Sequence, residues 1–190
     1  YEDFAKIFHD DSEFLYGSKK RTTIEDLLNS NKKFIYFASI QDLRGSSAVG
    51  GKFDKNEYVF LIDWDYIIVD EAHIDFAGES ALSLVEKYEN LLVVQTFSKA
   101  RSMAGMRIGY AIGNPVLIKY LNDAKYSFNS YTMDQPSLVC GVEAVKDKAY
   151  FEEHVQMIKD TREWTKAELK KLGFTFPDSQ SNFLFVTHEK

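Results

Sequence analysis

Two short apolar runs in the middle of the chain each end in residues that could do chemistry. Tyr66–Val69 reads as a buried strand that delivers Asp70 and Glu71 at its carboxyl end, with His73 close behind. Leu91–Val94 reads as a second buried strand and delivers Thr96, Ser98 and Lys99. Ligands of open α/β sheets sit outside the carboxyl ends of the strands. An acid and a lysine so placed fit a bound cofactor. A carboxylate favours a neighbouring cation, and a lysine amine can serve as both nucleophile and proton carrier. Each residue also has a plainer reading. Asp70 could cap the next turn, Lys99 could be a solvated residue at a loop exit, His73 could be a surface histidine, and Arg107 could pair with one of the many carboxylates.

The elements that must position these residues alternate between strand and helix. Phe34–Ala38 reads as a buried strand, Asp54–Ile62 as a helix with Tyr58, Leu61 and Ile62 on its inner face, and the strand to Val69 follows. Strand, loop, helix, strand argues for a parallel sheet. Glu79–Tyr88 reads as a helix packed through Leu82, Val85 and Tyr88, and Met106–Ile112 as a further strand. Asn114-Pro115 is a cap followed by proline at the first helical position, opening a helix to Tyr126. Asp134–Ala149 reads as a helix with Val139, Val142 and Val145 inside. Tyr150–Leu172 reads as a long amphipathic helix with Val155, Ile158, Trp164 and Leu169 buried, stopped by Gly173. Phe183–Val186 is the final predicted strand. Towards the start, Tyr1–His9 and Thr23–Asn29 read as short helices, with Thr22 or Thr23 capping the second, and Ser46–Gly51 as a loop.

Composition narrows the function classes. The chain has 190 residues, 45% of them hydrophobic, enough for one substantial core or one domain and part of another. The net charge of −6 and the lack of a basic stripe give no electrostatic support for nucleic-acid binding. Cys140 is the single cysteine, so no internal disulfide is possible, which fits a reducing cytosol. No apolar run reaches the length of a membrane span, and no signal peptide is legible. The opening at Tyr1 rather than Met fits a fragment or a processed chain. Asp70-Glu71-Ala72-His73 also spells a helicase box. That chemistry needs an upstream glycine-rich loop ending in Lys-Ser/Thr, and Gly50-Gly51-Lys52 is followed by Phe53, which has no hydroxyl for a metal.

DEAHIDF, TFSKA and GMRIGY, in this order, resemble the fold-type I, pyridoxal-phosphate-dependent aminotransferases. The closest subgroup is the histidinol-phosphate aminotransferase group, with its DEAY box, TFSKA-like lysine box and AGxRxGY segment. The match is dense from about Asp65 to Gln135, looser from Phe151 to Val186, and weakest before Asp54. The resemblance implies an α/β fold in which residues 1–148 are part of a three-layer large domain with a mostly parallel sheet. Residues 149–190 would then be an interdomain helix and the start of a small α/β domain. It implies pyridoxal 5'-phosphate as cofactor, with Lys99 bonded to the aldehyde and later moving a proton. Asp70 would face the pyridine nitrogen and keep the ring protonated. Thr96, Ser98 and Arg107 would hold the phosphate, with Gly105 allowing close backbone approach. Phe128, Asn129 and Gln135 match a segment near the substrate, or simply pack the loop. The implied reaction moves an amino group between a histidinol phosphate-like donor and a 2-oxo acid such as 2-oxoglutarate, in histidine biosynthesis, in a cytoplasmic homodimer. No metal is implied.

Two positions depart from the family pattern. His73 stands where the family has a tyrosine that donates to the ring's phenolic oxygen; an imidazole N–H could donate there and would add pH dependence near neutrality. Asp42 falls on the position of a ring-contacting asparagine, and an ionised aspartate can only accept. A complete family member is nearly twice as long. The N-terminal arm, the upstream Gly-Ser phosphate segment and the C-terminal substrate-binding arginine have no counterpart. Two alternatives follow. One is a truncated non-catalytic relative acting as a binding or structural protein, and the other is a phosphothreonine decarboxylase-like enzyme sharing the same boxes.

Overall fold

The computed structural model of the chain describes residues 14–18, 22–38, 43, 46, 57–76 and 78–189. They fall into two compact units divided between Asp63 and Trp64. The first unit holds β1 (Phe14–Ser18), α1 (Ile24–Asn29), β2 (Lys33–Phe37) and α2 (Glu57–Leu61). Strands β1 and β2 pair in parallel, with α1 as the crossover. Thr23 caps α1 by accepting the Asp26 N–H at 3.2 Å, and the apolar side of the helix buries Ile24 and Leu27. The inner face expected for α2 is not buried: Tyr58 and Leu61 are exposed. The expected Tyr1–His9 helix, Asp42, the Asp54 cap and most of the Ser46–Gly51 loop lie outside the described residues.

The second unit carries the chemistry. Its sheet has the order β3 (Ile67–Asp70), β4 (Leu91–Thr96), β5 (Gly109–Gly113). β3 and β4 are parallel, with Asp70 opposite Val94. β4 and β5 are antiparallel, with Gln95 opposite Tyr110 and Thr96 opposite Gly109. β4 is central, and Leu91, Leu92 and Val93 are buried as expected. β3 is not the buried strand its sequence suggests: Ile68 is 67% exposed. Among the described residues β3 has a sheet neighbour on one side only, and Ile67 and Ile68 are exposed.

Helices α3 (Pro115–Phe128), α4 (Gln135–Lys146) and α5 (Lys148–Lys171) follow. Asn114 caps α3 through the Val116 N–H, with proline at the first turn. Asp134 caps α4 through the Ser137 N–H. Asp147 both ends α4 and caps α5 through the Tyr150 N–H, so the expected boundary at Ala149 moves two residues earlier. Gly173, at φ 82°, ends α5. Its own N–H reaches Lys170 O, and the Phe174 N–H reaches Leu169 O, the paired bonds of a glycine C-terminal stop. The buried cluster under α5 is Phe76, Ala100 and Val155, flanked by Phe151 and Ile158. Trp164, expected inside, is exposed.

Three further expectations are corrected. Glu79–Tyr88 forms a short 3₁₀ turn (Ala81–Leu84) and turns rather than an α-helix. Its first amides are taken by the Ser80 hydroxyl and the Glu71 carboxylate, and so short a helix is marginal in any case. Phe183–Val186 forms no strand; a single bridge joins Thr175 to Thr187, while the Ser179 and Ser181 hydroxyls bond to Phe183 O. The buried face of α4 is not the one expected. Val139, Val142 and Val145 are each more than half exposed, whereas Ser137 and Gly141 are buried. A Cβ on Gly141 would lie 2.9 Å from Ile108 Cδ1, so only the small-residue face lets α4 approach so closely.

Candidate functional site

Asp70 is the last residue of β3 and is exposed. Its Oδ1 accepts the Ala72 N–H at 2.9 Å, so the turn-capping role open to it in the sequence is one that it fills. Lys99 lies just past the carboxyl end of β4, with an exposed side chain. The two residues therefore leave the same end of two neighbouring parallel strands.

Thr96 and Ser98 are brought together at that end. Their hydroxyls are 2.9 Å apart, and Thr96 Oγ1 also accepts the Ser98 N–H at 3.1 Å. Thr96 Oγ1 is 3.1 Å from Ile108 O as well, and one hydroxyl hydrogen can serve only one acceptor. Donation to Ser98 Oγ leaves the Ser98 hydroxyl hydrogen free to point outward, whereas donation to Ile108 O requires Ser98 to donate to Thr96.

Arg107 directly precedes Ile108 and so borders this pair. The strand expected from Met106 begins only at Gly109, because Ala104–Met106 is a 3₁₀ turn and Arg107 sits in the left-handed region at φ 55°. Its exposed guanidinium donates to Ala104 O at 3.0 Å. The buried Ser137 hydroxyl holds Met106 O at 3.0 Å, and Gly141 packs on Ile108. Helix α4 thus fixes the segment that presents Arg107. A Cβ on Gly105 would meet no atom of the described residues within 4 Å. Phe128, one alternative for loop packing, ends α3 with its ring exposed.

His73 is partly buried, edge-on to Phe183 at 5.5 Å between ring centroids and tilted to Phe76 at 6.5 Å. Its Nδ1 is buried with no hydrogen-bond partner among the described residues. A buried polar atom without a partner costs stability.

Behind the strand ends lies a cluster that motif reading does not single out. Glu71 is only 7% exposed and its carboxylate accepts three hydrogen bonds: from Ser80 Oγ at 2.6 Å, from Ala81 N at 2.6 Å and from Gln95 Nε2 at 2.8 Å. Gln95 Oε1 accepts the Tyr110 hydroxyl. The one signal in the sequence is polar Gln95 inside an apolar strand, two residues past the buried run. Asp75 and Arg101 lie beside this cluster. Arg101 donates to Ala144 O at 2.6 Å and stacks over Phe151 at 4.2 Å.

Asp75 gives a pH-dependent prediction. Burial pushes its carboxyl above the ordinary aspartate range, Arg101 and Lys159 pull it down by less, and Glu71 adds a smaller upward push. The folded chain therefore holds this proton more tightly than the unfolded chain. That contribution to stability is complete below the ordinary aspartate pKa and is lost as pH rises through the raised value. Asp75→Asn should raise the thermal midpoint by a few degrees at neutral pH, with the gap closing in acid. A midpoint at pH 7 that is unchanged or lower would mean that the two cations outweigh the burial.

The family model for aminotransferases of class I and II matches residues 20–189. The chain belongs to that family. Among relatives of this aminotransferase chain, a histidinol-phosphate aminotransferase of Brachyspira hyodysenteriae is 54% identical over 138 residues, 72% of this chain and 39% of that protein. One from Clostridium botulinum is 53% identical over 123 residues, 65% of this chain and 35% of that protein. The chain thus spans less than two fifths of the length of these relatives. Its fold matches the histidinol-phosphate aminotransferase of Clostridium acetobutylicum with a TM-score of 0.65 at 22% identity, over 93% of this chain and 62% of that one. A Sinorhizobium meliloti histidinol-phosphate aminotransferase in complex with pyridoxal-5'-phosphate matches with a TM-score of 0.59 at 25% identity, over 66% of this chain and 34% of that one. The aminotransferase chain has the mixed α/β, fold-type I architecture. Among its described residues no helix is long and apolar enough to cross a membrane.

Proposed function

We propose that this aminotransferase chain contributes the lysine and the ring-facing carboxylate of a pyridoxal 5'-phosphate enzyme. The enzyme transfers an amino group from a histidinol phosphate-like donor to a 2-oxo acid such as 2-oxoglutarate. The carrying observation is the exit of Asp70 and Lys99 from the same end of the adjacent parallel strands β3 and β4. The donor set fits the cofactor. It comprises an amine for an aldehyde, a carboxylate for a ring nitrogen, and hydroxyls with a guanidinium for a phosphate, with the unpartnered Nδ1 of His73 beside them in sequence. The donor identity follows the names of the relatives.

When bound, the cofactor supplies an electron-poor ring that accepts the charge left by departure of the substrate's α-proton. Lys99 Nζ would hold the group through its amine and would carry that proton. Asp70 holds the ring nitrogen in its charged form. Ser98 and Arg107 grip the phosphate, and Thr96 orients Ser98. His73 stands in for the tyrosine hydroxyl as donor to the ring oxygen, and Asp42 takes the ring-contacting asparagine position, where an ionised carboxylate only accepts. Residues to 148 belong to the large domain and those from 149 begin the small one. The working enzyme is a cytoplasmic homodimer.

The test is an absorbance spectrum of the purified protein with added pyridoxal phosphate, before and after borohydride reduction, followed by mass mapping. A visible band and a single reduced adduct on Lys99 are expected, together with glutamate formation from histidinol phosphate and 2-oxoglutarate. Adducts scattered over surface lysines would overturn the assignment.

A further inference from the structure

We infer that Glu71 is a positioning residue for the cofactor site, acting through Gln95 and Tyr110 on the reverse face of the sheet; this rests on the proposed pyridoxal phosphate reading. Side chains alternate across a strand. Asp70 is opposite Val94, so Asp70 and Thr96 lie on one face of the sheet. Glu71, Gln95 and Tyr110 lie on the other, with Gln95 opposite Tyr110 in the antiparallel register. The ladder continues through Glu71, whose N–H reaches Val94 O at 2.8 Å.

The three polar side chains run in series from β3 to β5. Glu71 accepts from Gln95 Nε2, and Gln95 Oε1 accepts from Tyr110. The amide orientation of Gln95 is fixed at both ends, since a carboxylate only accepts and the tyrosine here donates. Glu71 also holds the turn that follows, through Ser80 Oγ and Ala81 N. One nearly buried carboxylate therefore fastens the carboxyl ends of β3 and β4, the amino end of β5 and the turn that follows.

The consequence for the other face is direct. Asp70 shares a peptide bond with Glu71, and Thr96 shares one with Gln95. A strand end that slides or tilts on the reverse face moves the facing group on the site face by the same amount. A misplacement of about 1 Å costs catalysis roughly 100-fold. Hydrogen bonds to the nearly buried Glu71 carboxylate resist such movement, because breaking one leaves a desolvated charge.

The pairing can be reversed chemically, which gives a test. In Glu71→Gln one carboxylate oxygen becomes an N–H donor, so an amide that keeps its bond to Ala81 N faces Gln95 Nε2 donor against donor, and Gln95 must turn over and take Tyr110 as acceptor to relieve it. In Gln95→Glu two carboxylates face each other. In the double variant Glu71→Gln/Gln95→Glu, the amide at 71 donates to the carboxylate at 95, and Tyr110 still has an acceptor. Wild-type protein is first checked for the Lys99 adduct, and its absence refutes the cofactor reading itself. Pyridoxal phosphate affinity and the pH midpoint of the visible band are then measured for each variant, alongside the thermal midpoint. Each single variant is expected to bind pyridoxal phosphate about tenfold more weakly or worse and to shift the pH midpoint. The double variant is expected to return to within about threefold of wild type. A role confined to folding predicts lower thermal midpoints with affinity and pH midpoint unchanged, and that result overturns the proposal. So does a double variant that binds no better than the singles. Should the single variants not fold, Tyr110→Phe removes only the last bond of the series. It is expected to weaken binding about threefold with a shifted pH midpoint, and wild-type values for both overturn the proposal.

Discussion

Lys99→Ala is expected to abolish the borohydride-fixed adduct and to lower amino transfer by at least about 10²–10⁴-fold, the share that a positioned proton carrier contributes on its own. The covalent role adds to this loss, since alanine cannot bond to the aldehyde. The structure makes the variant informative. The Lys99 side chain is exposed, and its backbone carbonyl, which accepts the Ser102 N–H at 3.0 Å, is kept on substitution. Stability should therefore stay within about 0.5 kcal/mol of wild type, the usual range for surface changes. Lys99→Arg keeps the charge and should fail equally, because a guanidinium does not become a neutral nucleophile near neutral pH. A visible band that persists in Lys99→Ala with the adduct on another lysine removes Lys99 from the mechanism. Activity lost together with fold would instead indicate that Lys99 supports the turn before Ser102.

Features set by local chemistry are legible in the sequence. Thr23, Asn114-Pro115 and Gly173 mark helix ends because a cap needs only its own few residues. β4 is legible for the same reason: an unbroken apolar run at the centre of a sheet is buried on both faces. Burial set by distant partners is less so. The run Tyr66–Val69 looks like a core strand, yet β3 pairs on one side only among the described residues. The valines of α4 look like an inner face, but the small residues Ser137 and Gly141 allow a closer approach to Met106–Ile108 and win that contact. Arg107 is legible as an arginine near a strand but not as a left-handed residue outside it, since its backbone is set by α4.

The candidate site divides along the same line. Asp70, Thr96, Ser98 and Lys99 are found from spacing because two short strands deliver them in sequence order. Glu71 is not found that way. Its partners Ser80, Ala81 and Gln95 come from two other segments, and Tyr110 joins only through Gln95, which strand register places opposite it. Asp75 acquires its proton affinity from burial, which no motif encodes.

Asp70→Asn separates charge from geometry at the second residue of the pair. Asparagine keeps an Oδ1 to accept the Ala72 N–H, so the turn after β3 is retained. What it removes is the negative charge that would keep the ring nitrogen protonated. Amino transfer is expected to fall about 10²–10³-fold, the range for losing one preorganised electrostatic partner of a developing charge. The Lys99 adduct should still form under borohydride, because anchoring needs the amine and not the carboxylate. The two variants thus predict opposite outcomes for the adduct: lost in Lys99→Ala, kept in Asp70→Asn. Asp70→Ala removes the turn bond as well, so it should lose activity and also unfold at a lower temperature. Full activity in Asp70→Asn would reduce Asp70 to the turn cap seen in its bond to Ala72, and the ring-facing carboxylate would have to be sought elsewhere.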